Sequence, residues 1–154
     1  MNDLLTLGNT GTPITILEKT AYAHWLSSQS TQHINWLQQT NFKGEGLALI
    51  PSFTPEEEGK LAQAIFVVED ASHYFACGNL INQLPQGQYL LIAQPSHQQA
   101  ICFGWLVGAY EYSRYKTKNI EKVLPSLVVN DQTLIDSAIH HAQATALVRD
   151  LVNT

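Results

Sequence analysis

Six histidines, two cysteines and thirteen acidic side chains are the groups in this 154-residue chain that could do chemistry. Histidines and carboxylates at regular spacing would hold a metal ion, and a cysteine beside a base would act as a nucleophile. Neither pattern is present. His24, His33, His73 and His97 fall in separate stretches of the sequence. His140 and His141 are neighbours in a helical stretch, so their side chains point about 100° apart and share no face. No His-Glu-x-x-His sequence occurs. Glu69, Asp70 and His73 come nearest to a cluster. A helix start is the expected explanation over a ligand set, because acids are favoured at the positive end of a helix and clusters without a motif are usually structural.

Other reaction types fare no better. There is no Gly-x-Ser-x-Gly elbow and no phosphate-cradling Gly-x-x-x-x-Gly-Lys-Ser/Thr loop. Gly44-Glu45-Gly46 opens like a dinucleotide loop, but Leu49 stands where the third glycine belongs and an apolar strand follows. A simple turn is the expectation there. Cys77 and Cys102 sit in apolar surroundings with no evident base, so both are expected as buried, inert thiols. Their pairing as a disulfide is left open by the sequence. Tyr110, Tyr112 and Tyr115, like Trp25, Trp36 and Trp105, read as core or interface aromatics.

Net charge is −5, and the basic residues form no patch. Arg114, Lys116, Lys118 and Lys122 make the densest run, with Glu111 and Glu121 among them. Nucleic-acid binding needs a stronger positive footprint, so this run is expected as a solvated loop. The longest apolar run, Ala100 to Tyr110, is far short of the roughly 20 residues that span a bilayer. The amino terminus lacks the features of a secretory signal. These features predict a protein of the cytoplasm with no nucleic-acid or membrane partner. Only 14% of residues are charged, against about 25% in ordinary soluble domains. Either glutamine-rich surface or a covering domain or subunit accounts for the deficit.

Elements that would position these groups alternate along the chain. Gly8 to Pro13 reads as a loop, Ile14 to Leu17 as a strand, and Thr20 and Ser30 as caps of two helices. Leu47–Ile50 and Ala64–Val68 suit two strands paired antiparallel across a long loop. Asp70 or Ser72 is expected to cap a short helix from His73 to Leu80, and Gln88–Ile92 to form another strand. Ser96 with Gln99 matches a capping box for a helix whose next residues are almost all apolar. Such a helix is buried between layers. Gly104 and Gly108 share one of its faces, which predicts close approach by another element. Leu124–Val129 reads as the last strand, and Asn130 or Asp131 caps the last helix. The pattern predicts a single α/β domain over residues 1–154, with a mixed, mostly buried sheet flanked by helices on both faces. The last helix is still apolar where the sequence stops, an expectation that the polypeptide continues in its parent.

Two segments carry a family resemblance. Gly104-Trp105-Leu106-Val107-Gly108-Ala109-Tyr110-Glu111-Tyr112-Ser113-Arg114-Tyr115-Lys116 resembles the leucine (cytosol) aminopeptidase pattern in which a buried helix ends in Gly-Ala-Tyr-x-Phe-x-x-Tyr-Lys, with Tyr112 in the Phe position. Ala146 to Thr154 is similar to the Arg-Asp-Leu-x-Asn-Thr-Pro segment that leads from the amino-terminal domain into the catalytic domain. Trp36 to Gly44 resembles a branch of that family with a short amino-terminal domain. The resemblance is close over the last third of the chain and loose before it.

It implies a macro-domain-like amino-terminal domain of a metallopeptidase that removes amino-terminal residues from peptides with two divalent cations, manganese or zinc. It also implies hexamers and a downstream catalytic domain as partner. The family's metal-binding residues and its Asn-Thr-Asp-Ala-Glu-Gly-Arg signature lie downstream. No catalytic, cofactor-binding or metal-ligating residue is therefore assigned in this chain. The macro-domain likeness suggests a second possibility, a nucleotide-binding module, by fold analogy alone.

Overall fold

The computed structural model describes residues 4–73, 76–115 and 124–152. Six strands form one sheet in the order β1-β6-β5-β2-β4-β3, where β1 is Leu5–Leu7, β2 Thr12–Glu18, β3 Gly46–Pro51, β4 Leu61–Val68, β5 Gln88–Ile92 and β6 Ser126–Val129. Neighbours run parallel except β3, which pairs antiparallel with β4. The helices are α1 (Lys19–Ser27), α2 (Thr31–Gln39), α3 (Leu80–Gln83), α4 (Pro95–Tyr115) and α5 (Gln132–Val152). This is the expected mixed α/β architecture.

Alternation along the strands splits the apolar residues between two faces. Ile14, Ile16, Ala64, Phe66, Val68, Tyr89, Leu127 and Val129 join α3, α4 and α5 in the main core. Ile65 and Val67, pointing the other way, are just as buried. On that side α1 lies against β2 and β4, and α2 against β3. Helix α4 is the centre of the main core. Its residues from Ala100 to Ala109 are buried, which is why its sequence is apolar almost all round. Gly108 faces the backbone of the loop before α3, and a methyl built there would collide with the Gly78 carbonyl oxygen. The close approach expected of this glycine is present.

Local signals are reproduced in part. Ser30 caps α2, its hydroxyl accepting from the His33 N–H at 3.3 Å. Asp131 caps α5 by accepting from the Thr133 N–H at 2.9 Å. Four expectations differ. The loop expected from Gly8 to Pro13 is shorter, because Thr12 and Pro13 belong to β2, and Leu5–Leu7, for which no element was expected, forms β1. Their partners, β6 and β5, lie far along the chain, so no local pattern marks them. Helix α1 starts at Lys19 behind Glu18, not behind Thr20. The capping box is not formed. Pro95, well suited to a first helical position, opens α4 instead, and the Gln99 side chain reaches Ser137 at 3.1 Å. The helix expected from His73 to Leu80 is replaced, among the described residues, by turns ahead of the shorter α3. Asp70 closes that turn on Ser72, competing locally with helix formation. The lysines of the basic run lie outside the described residues.

Candidate functional site

Ligands of open α/β sheets bind beyond the carboxyl ends of the strands, where successive connections leave in opposite directions. Here the chain leaves β2 towards β4 on one side and leaves β5 towards β6 on the other. The reversal thus falls between β2 and β5. An open cleft of about 490 Å³ lies to one side of it, beyond the carboxyl end of β4, floored by Val67, Val68 and Ala76 and rimmed by Lys19, Glu45, Glu69, Asp70 and His73.

The sequence-level cluster of Glu69, Asp70 and His73 thus falls on one cleft, but its charges are already engaged. Lys19 Nζ stands 3.0 Å from Glu69 and 3.1 Å from Glu45, and these two carboxylates hold its pKa above the ordinary lysine value. Asp70 accepts from the Ser72 hydroxyl at 2.6 Å and from its N–H at 3.0 Å, which keeps the Asp70 carboxyl below its usual range. Both residues are exposed, so these contacts contribute little to stability.

Glu18 was not singled out by sequence reasoning. It ends β2 and precedes α1, yet its carboxylate does not cap that helix. It accepts from the Ala71 N–H at 3.1 Å and stands 3.9 Å from His97 Nε2. The residue therefore ties together the ends of β2 and β4 and the start of α4. The other ring nitrogen of His97, Nδ1, is buried without a hydrogen-bond partner among the described residues. Nothing in the sequence marks this pair, because only the sheet order brings the two residues together.

The remaining candidates do not converge. His24 lies on α1 and His140 and His141 on α5, while His33 Nδ1 bonds Gln63 at 3.0 Å. No three His, Cys, Asp or Glu side chains among the described residues come together as a metal site. The residues in hand do not fit a pair of cations, and no metal-dependent step is assigned to them. Cys77 and Cys102 are free and buried, and burial pushes each thiol up to about 12. Trp105 is fully buried, whereas Trp25 and Trp36 are only partly so. No helix among the described residues is long and apolar enough to cross a membrane.

The family model for the M17 aminopeptidase N-terminal domain matches residues 12–128, well over half of the chain. The chain belongs to the M17 aminopeptidase family, as its N-terminal domain. The cytosol aminopeptidase of Coxiella burnetii has a similar structure, with a TM-score of 0.70 at 18% identity. The likeness covers 89% of this M17 domain and 31% of the Coxiella chain, and at that identity it bears on the fold alone. The M17 domain thus corresponds to about a third of that enzyme's length. No curated protein matches the sequence. The comparisons lend no support to a nucleotide-binding module.

Proposed function

We propose that this M17 domain is the assembly and regulatory part of a leucyl aminopeptidase whose catalytic domain follows it in the parent polypeptide. In this reading residues 1–154 are one non-catalytic unit. The downstream domain holds two divalent cations, manganese or zinc, and removes amino-terminal residues from peptides in the cytoplasm. The N-terminal domain packs against it and against other copies in a hexamer. Neither nucleic acid nor a membrane enters the reading.

The observation that carries the proposal is the family match over residues 12–128, which is specific to the amino-terminal domain. Two features support it. A two-metal hydrolase needs several clustered carboxylates, whereas the described carboxylates here are dispersed or engaged with Lys19, Ser72 and Ala71. The charged fraction is also low, 14% against about 25% in ordinary soluble domains, which suits a surface partly covered by another domain or subunit.

The test compares the isolated chain with the whole parent enzyme. Leucyl-p-nitroanilide is offered to each with manganese chloride, and sedimentation reads the parent with and without this domain. The isolated chain is expected to show no turnover, and deletion of the domain is expected to break the hexamer. Turnover that rises in proportion to the pure chain, or a hexamer indifferent to the deletion, removes the proposal.

A further inference from the structure

Strand β3 forms one of the two edges of the sheet, and it is closed along only part of its length. Main-chain groups of an antiparallel strand alternate in direction. The Ser52 N–H turns towards β4, donating to the Lys60 carbonyl at 2.8 Å. The Leu49 carbonyl turns away, accepting from Trp36 Nε1 at 2.9 Å. By the same alternation the Leu47 N–H and carbonyl also face outward; after Ile50 the register with β4 shifts, and Pro51 has no N–H to offer. A cleft of about 520 Å³ runs beside this edge, with Trp36 at one end and Thr40 to Lys43 as its far wall.

That wall is preformed. Asn41 and Gly44 take positive φ values of 60° and 77°, and the Tyr22 ring lies so close to Gly44 that a side chain there would strike it. Phe42 packs edge-on against the same ring at 5.6 Å. Two charged residues line the cleft. Glu45 is matched by Lys19 at 3.1 Å, whereas Lys43 makes no salt bridge among the described residues. The unmatched charge at the open edge is positive.

We propose that this edge binds the carboxyl-terminal end of a short, extended peptide, by main-chain pairing to Leu47 and by contact of the terminal carboxylate with Lys43. Strand addition to a free edge supplies the affinity, and the charge sets the direction. Lys43 lies at the Gly46 end of β3, so a peptide anchored there runs antiparallel to the strand. In that arrangement one residue of the peptide exchanges both hydrogen bonds with Leu47. The Trp36 cap on Leu49 and the proline after it stop the ladder, which favours a few residues of peptide over a full strand from a second copy. The inference goes beyond the assembly reading and does not depend on it, because binding is read on the chain itself.

The experiment titrates the 15N-labelled chain with the tetrapeptide Ala-Val-Ala-Leu and follows backbone amides. Saturable shifts are expected at Leu47 and Leu49. Conversion of the peptide's carboxylate to an amide, or Lys43→Gln in the protein, should each weaken binding by about tenfold, the loss of one charge-assisted contact. N-methylation of the peptide's third residue should abolish it. The absence of β3 shifts at millimolar peptide, or equal binding of acid and amide, overturns the proposal. So do β3 shifts that depend on protein concentration without peptide, which would make a second copy the occupant.

Discussion

Trp105 Nε1 donates to the Leu4 carbonyl oxygen at 2.7 Å, joining the centre of the buried helix α4 to the chain just before edge strand β1. The indole is fully buried, while the carbonyl it meets is partly covered. Trp105→Phe leaves the carbonyl without its donor and a void beside it. A loss of about 2–4 kcal/mol is expected in urea unfolding, together with loss of protection at the β1 amides. A change under about 0.5 kcal/mol, the range of an ordinary surface substitution, contradicts this account.

Gly108 gives a prediction whose sign separates local from tertiary effects. Alanine is better than glycine in a helix interior by about 1 kcal/mol, so propensity alone predicts stabilisation by Gly108→Ala. The Gly78 carbonyl stands in the way of any Cβ at this position, and it is backbone, which cannot swing aside. Net destabilisation of roughly 1–3 kcal/mol is expected. A raised melting temperature would show that the loop before α3 can retreat.

Glu18 is expected to matter through its acceptor oxygen more than its charge. Ala71 is buried, and Glu18→Ala strands its N–H. The cost should be about 1–3 kcal/mol. Glu18→Gln retains a carbonyl oxygen and should recover most of it. Equal losses in the two variants would show that the acceptor oxygen on Ala71 is not what matters at Glu18.

The two thiols should be silent in the folded protein. With each pKa pushed up to about 12 by burial, the thiolate fraction at pH 8 is on the order of 10⁻⁴. Labelling by an aromatic disulfide reagent should be negligible in buffer and complete in guanidinium. Labelling of Cys77 or Cys102 at the rate of a free thiol would show that the loop before α3 opens readily.

Acid should weaken the cap of α5 in a defined direction. The Thr133 hydroxyl and N–H hold the Asp131 carboxyl below the ordinary value of 3.8. Because the folded value is the lower one, the stabilisation is complete above the unfolded value and disappears as pH falls through the folded one. Asp131→Asn keeps a good cap without the charge. Melting curves of the two proteins should lie close at pH 7, and the wild type should lose more between pH 5 and pH 2. Parallel curves over that range would remove Asp131 from the account of acid unfolding.

Much of the architecture was legible because it rests on short-range rules. The apolar run from Ala100 to Ala109 announced a buried helix, and Leu47–Ile50 with Ala64–Val68 announced an antiparallel pair. Ser30 and Asp131 announced their caps. The candidate cleft was half legible. Glu69, Asp70 and His73 are close in sequence and share it, but Lys19 and Glu45 arrive from α1 and from the turn before β3. Two side chains near the helix starts are engaged elsewhere: Glu18 by the Ala71 N–H and Gln99 by Ser137, partners that the local pattern does not contain.

The sequence by itself determined the α/β class, the buried thiols, the burial of Trp105 and the aminopeptidase kinship, because composition, periodicity and short motifs are properties of neighbours along the chain. Tertiary structure alone decided that β1 pairs with β6, that Glu18 meets Ala71 and His97, and that β3 is the open edge under Trp36. Those relations join residues far apart in the chain. They are fixed by strand order, which only burial of both sheet faces at once selects.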